Sequence, residues 1–146
     1  MVALTDRGQE FSDLLVEIFR VNGLLLTAGD ALARPAGLTS ARWQVLGVVD
    51  HGPVTVADVA RTMGLTRQSV RETVTSLASL GMITYGDNPR DRRARLLTLT
   101  PRGRSALRTV DRRQAAWANQ LAARASLPDL RAASAILRDL GDLLEA

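Results

Sequence analysis

The side chains in this chain best placed for recognition chemistry lie between Leu65 and Gly103. Gln68 and Arg71 fall on the polar side of a segment, TRQSVRETVTSLASL, whose apolar residues recur at helical spacing. A glutamine amide can pair with adenine N6 and N7, and a guanidinium can pair with guanine O6 and N7. About twenty residues further on, the turn-rich stretch NPRDRRAR holds Arg90, Arg92, Arg93 and Arg95 between two short runs of strand character. A helix sized for a major groove, followed by arginines on a projecting ribbon, gives two reading elements of different kinds.

Charge is distributed to match. From Arg61 to Arg113 there are 12 arginines against four acids, a balance of +8, whereas the other residues carry seven arginines against 11 acids, a balance of −4. A basic segment on an otherwise acidic body is the electrostatic footprint of phosphate binding, which releases condensed counterions. Other chemistries find little to work with. The chain has no cysteine and one histidine, His51, so no disulfide, thiolate site or histidine-built metal site is expected. There is no glycine-rich phosphate loop, and the acids are scattered over helix surfaces. The sequence therefore predicts no enzyme, no catalytic residue, no cofactor and no metal. No apolar run is long enough to cross a bilayer, and the N-terminal MVALTDRGQE lacks the pattern of a signal peptide, so a cytoplasmic protein without a membrane partner is expected.

The elements that must position these residues read as mainly α with a small antiparallel β wing. Phe11, Leu14, Leu15, Ile18, Phe19, Asn22 and Leu25 recur at three- and four-residue intervals, predicting a long helix from Phe11 to about Ala33 with a wide apolar stripe. Thr39 or Ser40 can cap a second helix, in which Trp43, Leu46 and Val49 face one way until His51-Gly52-Pro53 ends it. Thr55 and Asp58 have the spacing of a capping box before a short helix that Gly64 terminates. Leu65 is expected to be buried in the turn, and Thr66 caps the next helix, with Val70, Val74, Leu77 and Leu80 as its buried seam. Two helices joined by a short glycine-containing turn make a helix-turn-helix. Met82–Tyr85 and Arg95–Thr100 then pair as a hairpin around Gly86–Ala94, and Thr100-Pro101 opens a long helix. Ser126 and Asp129 form a second capping-box match, before a last helix whose Leu130, Ala133, Leu137, Leu140 and Leu144 form a narrow seam in need of a partner.

With these residues in view, the chain resembles the MarR family of winged helix-turn-helix transcriptional regulators over nearly its whole length. The resemblance is most specific in NPRDRRARLLTLTPRG, where Asp91, Arg93, Leu99, Thr100 and Gly103 match the family's acidic residue, arginine, hydrophobic strand and Leu-Thr-x-x-Gly. It is also specific in TVADVARTMGLTRQSV, the helix-turn-helix. It implies a single MarR-type domain over 1–146, with a winged helix-turn-helix DNA-binding lobe at 39–100 and a helical dimerisation region from 1–36 and 101–146. It further implies a homodimer bound to double-stranded DNA at a palindromic operator, most often as a repressor.

Roles follow from chemistry and resemblance together. Gln68 and Arg71 are assigned to base edges, and Arg67 to a base or a phosphate. Thr66 and Ser69, at the amino-terminal end of the helix, suit phosphate contact, although Thr66 is needed as a cap in any case. Arg93 matches the arginine that the family inserts into the minor groove, and Asp91 its brace, expected to pair with an arginine. Arg90, Arg92 and Arg95 are expected phosphate contacts, while Glu72 reads as an intrahelical partner of an arginine. The resemblance also implies release by a small anionic or aromatic effector, for which Phe19, Trp43 and His51 are the candidates by position; each has a plainer reading, Phe19 and Trp43 as core residues and His51 as a helix C-terminal side chain. The alternative function is a general architectural DNA-binding protein without a ligand, which would discriminate poorly between operator and random DNA.

Overall fold

A computed structural model describes Met1–Ala146. Six helices and one two-stranded sheet follow one another as α1 (Asp6–Ala33), a 3-10 turn (Arg34–Ala36), α2 (Ser40–Asp50), α3 (Val56–Met63), α4 (Arg67–Ser79), β1 (Ile83–Gly86), β2 (Leu96–Leu99), α5 (Pro101–Ala122) and α6 (Leu127–Glu145). The fold is the expected mainly helical one with an antiparallel wing. No helix is long and apolar enough to cross a membrane. The chain divides into two compact units, Met1–Val110 and Asp111–Ala146.

Local caps set most boundaries in the first unit. Thr5 accepts from the Gly8 N–H at 3.0 Å, so α1 begins at Asp6, a full turn before the first apolar residue of its stripe. Thr39, rather than Ser40, caps α2, accepting from the Arg42 N–H. At α3 the capping box forms in both directions: the Thr55 hydroxyl accepts from the Asp58 N–H at 3.1 Å, and the Asp58 carboxylate accepts from the Thr55 N–H at 3.0 Å. Gly64 leaves α3 with φ +65°, which lets the Leu65 N–H reach back to the Ala60 carbonyl. The turn thus depends on the backbone of Leu65 and not on its side chain. That side chain stays 45% exposed, contrary to its expected burial.

The core of the first unit gathers one face from each element. Val45, Leu46 and Val49 of α2 lie with Val59 of α3, Val70, Val74 and Leu77 of α4, Ile83 and Leu97 of the hairpin, and Leu107 and Val110 of α5, all almost fully buried. Two expected members sit at its edge. Leu80 is the C-terminal cap of α4 and only half-buried, and Trp43 is half-buried while its neighbours Val45 and Leu46 fill the interior. Only the last turns of α1 are buried, through Gly29, Leu32 and Ala33. There α1 crosses the start of α2: a methyl on Gly29 would meet Ser40 Oγ at 2.5 Å, and Asp30 Oδ1 accepts the Ser40 N–H at 2.7 Å. Upstream, Phe19 is 73% exposed in the single chain, so it is not a member of this core.

The first strand lies one residue beyond the expected Met82–Tyr85, the second is shorter than the expected Arg95–Thr100, and they pair in the register Ile83↔Leu99, Thr84↔Thr98, Tyr85↔Leu97 and Gly86↔Leu96. Ile83, Leu97 and Leu99 face the core, while Thr84 and Thr98 join hydroxyls on the other face at 3.0 Å. Val54, in the α2–α3 linker, adds a two-bond bridge to Leu97 and ties β2 to the helix-turn-helix. Thr100 then starts α5. Its hydroxyl accepts from the Gly103 N–H at 3.1 Å and donates to the Gly81 carbonyl at 2.6 Å, and its own N–H donates to the Met82 carbonyl. Gly103 lies so close to Met82 that a Cβ would overlap the Met82 carbonyl oxygen.

In the second unit, Ser126 caps α6 by accepting from the Asp129 N–H at 3.2 Å, without the return bond that Thr55 and Asp58 exchange. No residue of α6 is buried, and Leu130, Ile136, Leu137, Leu143 and Leu144 are exposed.

Two stability measurements check these local arguments. Gly103→Ala should lower the free energy of unfolding by about 1–3 kcal/mol through overpacking, whereas Gly47→Ala, in an open helical position, should raise it by about 0.5–1 kcal/mol. Equal denaturation midpoints for the two would contradict the close approach at Met82. The Asp58 carboxyl is held below the usual carboxylate range, first by the Thr55 amide, then by the Thr55 hydroxyl, with Arg61 adding to it and burial opposing. A depressed folded-state pKa gives stability that is present above the unfolded value, about 3.9, and lost as pH falls through the folded one. Between pH 5 and pH 2 the wild type should therefore lose more stability than Asp58→Asn, measured by urea unfolding at each pH.

Candidate nucleic-acid interface

The candidate surface starts from the division of α4 into two faces. Val70, Val74 and Leu77 are buried at 1% exposure or less, which leaves Arg67, Gln68, Ser69, Arg71, Glu72 and Thr75 in solvent. Thr66 accepts from the Ser69 N–H at 3.1 Å, so it has the expected capping role, and the amino-terminal end of the helix stays exposed around it. On the exposed face Gln68 Nε2 donates to Glu72 Oε1 at 3.3 Å. Glu72 thus partners Gln68 and not an arginine.

The wing is shaped by short side chains folding onto their own backbone. Asn88 Oδ1 accepts from the Arg90 N–H at 3.1 Å, and Asp91 Oδ1 accepts from the Arg93 N–H at 3.0 Å. These are successive Asx turns, supported by backbone bonds from Asp91 to Asn88 and from Ala94 to Asp91. The expected ion pair between Asp91 and an arginine is not formed; its Oδ1 instead accepts from the Arg93 N–H. At the base of the wing Arg95 lies over the Tyr85 ring, 4.4 Å from its centroid.

Between α4 and the wing runs an open cleft of about 490 Å³, floored by Thr55, Val56 and Ala57 at the start of α3. Arg67, Arg71 and Thr75 line one wall, and Tyr85, Asp91, Arg93 and Arg95 the other. No ion pair engages any of these four arginines, so their charge is directed at solvent. The cleft joins five of the predicted site residues. Thr66, Gln68 and Ser69, on the exposed surface of α4, and Arg90 and Arg92, at the wing tip, lie outside its lining.

The effector candidates are not gathered in this way. Phe19 projects from α1, Trp43 is half-buried on α2, and His51 is the exposed C-terminal cap of α2. None lines the arginine cleft or the smaller hollow of about 160 Å³ formed by Val49, Asp50, Gly52, Pro53, Thr98, Leu99 and Arg104. No group of metal-ligating side chains is clustered.

Tyr85 and Thr75 line the cleft walls without a sequence signal that singles them out. Tyr85 is the chain's one tyrosine, and strand register sets it diagonally across from Arg95, a geometry readable only once the pairing is fixed. Thr75 lies two turns beyond Arg67 on the same exposed face, and only the position of the wing shows that this part of α4 faces the cleft.

Comparison with known proteins agrees with this architecture. A family model described as MarR family matches residues 36–94, the span from the end of α1 to the wing tip. An uncharacterized protein of Mycobacterium tuberculosis is 36% identical over 115 residues, covering 79% of this chain and 80% of that protein. Among solved structures, CouR from Rhodococcus jostii, bound to p-coumaroyl-CoA, superposes with a TM-score of 0.79 at 24% identity, covering 88% of this chain and 92% of that one. The transcriptional regulator MosR of M. tuberculosis, in complex with DNA, gives a TM-score of 0.76 at 22% identity, covering 90% and 95%. The helix-turn-helix and the wing arginines Arg90, Arg92 and Arg93 lie within the matched span, and the chain belongs to the MarR family of winged helix-turn-helix transcriptional regulators.

Proposed function

We propose that this regulator is a homodimeric repressor that recognises a palindromic DNA operator with α4 and the wing of each subunit. The observation that carries the reading is the convergence of Arg67 and Arg71 from α4 with Arg93 and Arg95 from the wing on one cleft, none of them neutralised within the chain. In this reading α4 enters the major groove, where Gln68 and Arg71 read base edges and Arg67 reads a base or holds a phosphate. Thr66 and Ser69 hold phosphate at the amino-terminal end of α4. Arg93 enters the adjacent minor groove, favoured where A·T-rich sequence narrows it and deepens its negative potential. Arg90, Arg92 and Arg95 hold flanking phosphates, and Asp91 keeps the Arg93 backbone in the turn that projects its side chain.

The lobe at 39–100 carries these contacts, and 1–36 with 101–146 form the dimer. Supporting the dimer are the exposed apolar side chains of α1, including Phe11, Phe19, Leu24 and Leu25, and of α6, including Ile136 and Leu137. An isologous pairing would bury such surface at roughly 25 cal/mol per Å² and set two recognition helices about one or more DNA turns apart. Release by a small anionic or aromatic ligand is part of the proposal, suggested by the acyl-CoA bound to CouR. Phe19, Trp43 and His51 remain its candidate contacts.

Three measurements test the proposal. Selection from a randomised duplex library should return an imperfect palindrome; recovery of no preferred sequence would favour a general architectural protein instead. On the selected site, Arg93→Ala should weaken binding and reduce the slope of log affinity against log salt by about one, while Arg71→Ala should relax base choice at one position in each half-site. Unchanged affinity and slope for Arg93→Ala would remove the wing from the interface. Sedimentation should give twice the 15.8 kDa chain mass, and Phe19→Arg combined with Leu137→Arg should yield monomers that no longer bind the palindrome.

A further inference from the structure

The bond between Gln68 and Glu72 has a use beyond helix stability. Both side chains are exposed, and Gln68 Nε2 donates to Glu72 Oε1 at 3.3 Å, one helical turn along the outer face of α4. Glu72 forms no ion pair, although Arg71 adjoins it in sequence. A carboxylate only accepts hydrogen bonds, so only the NH2 end of the Gln68 amide can turn towards it. The carbonyl oxygen is thereby turned outward, and one N–H remains available. A primary amide offering one acceptor and one donor in that order complements adenine N6–H2 and N7. An amide free to flip would also present its NH2 end to the O6 and N7 acceptors of guanine.

We propose that Glu72 is a specificity-determining positioning residue that locks the Gln68 amide in the orientation selecting adenine. Its charge adds a repulsive element. A carboxylate beside the base edges disfavours guanine and thymine, whose major-groove oxygens only accept, and it also opposes nearby phosphates. The net effect is a recognition helix that gives up some indiscriminate affinity for selectivity at one position. The proposal deepens the functional reading above and rests on Gln68 meeting a base edge.

The test uses the full-length protein at fixed salt, with selection from a randomised duplex library by the wild type, Gln68→Ala, Glu72→Gln, Glu72→Ala and the double alanine variant. The wild type should prefer adenine over guanine roughly tenfold at one position of each half-site, within the range of a bidentate pair, and Gln68→Ala should abolish that preference. Glu72→Ala frees the amide, and Glu72→Gln can meet it in either orientation, so both should reduce the preference to about two- or threefold, leave other positions unchanged, and bind random DNA more tightly. In the Gln68→Ala background, Glu72→Ala should have no further effect at that position, the signature of a coupled pair. A tenfold preference retained by both Glu72 variants overturns the positioning role while leaving Gln68 as a reader. No preference in the wild type, or no change in Gln68→Ala, overturns the reading of Gln68 and the role of Glu72 together.

Discussion

The relation between α4 and the wing depends on a joint of a few atoms where α4 ends and α5 begins. The Thr100 hydroxyl donates to the Gly81 carbonyl at 2.6 Å and accepts from the Gly103 N–H, while the Thr100 N–H donates to Met82. Gly103 packs against the Met82 backbone with no room for a side chain. A hydroxyl is required at Thr100 because one oxygen must both donate and accept, and a glycine at Gly103 because backbone meets backbone. Since Gly81 and Met82 lie between α4 and β1, and Thr100 joins β2 to α5, these bonds fasten the end of α4 to both strands of the wing. The bridge from Val54 to Leu97 fastens the same hairpin to the entry of α3.

A cleft with fixed walls allows arginines to be held close together without internal counterions. Arg67, Arg71, Arg93 and Arg95 carry like charges, and their repulsion is tolerable because water screens the open cleft and because the core, not ion pairing, sets the positions of α4 and the hairpin. The ion pairs Glu17–Arg20 and Asp58–Arg61 are exposed helical ones, and neither includes an arginine of the cleft. Short-range bonds do the finer placement. Asx turns at Asn88 and Asp91 shape the wing tip, the Tyr85 ring supports Arg95, and Glu72 meets the Gln68 amide. Each is local and adds little stability, so each acts through geometry.

What was legible in the sequence followed from signals local to a helix turn or a strand. Periodic apolar residues located α1, α4 and α6, and Thr55, Thr66, Thr100 and Ser126 marked helix starts through their capping chemistry. Leu65 departs from its expected burial because a hydrophobic residue in a turn need not be covered when its backbone alone completes the turn. An arginine partner is expected for Asp91 by resemblance and for Glu72 by charge, yet a carboxylate is satisfied as readily by a nearby N–H. The support of Arg95 by Tyr85, and the crossing of Gly29 with Ser40, depend on strand register or helix packing between residues ten or eleven apart, which no periodicity specifies.

The central claim is that one rigid lobe places α4 and the wing in two different grooves of the same duplex. Dimethyl sulfate protection tests it most directly, because the reagent marks guanine N7 in the major groove and adenine N3 in the minor groove. On a selected site, bound protein should protect major-groove N7 atoms within each half-site and minor-groove N3 atoms flanking them, in a two-fold symmetric pattern. Protection confined to one groove, or spread without symmetry along the DNA, would contradict the account.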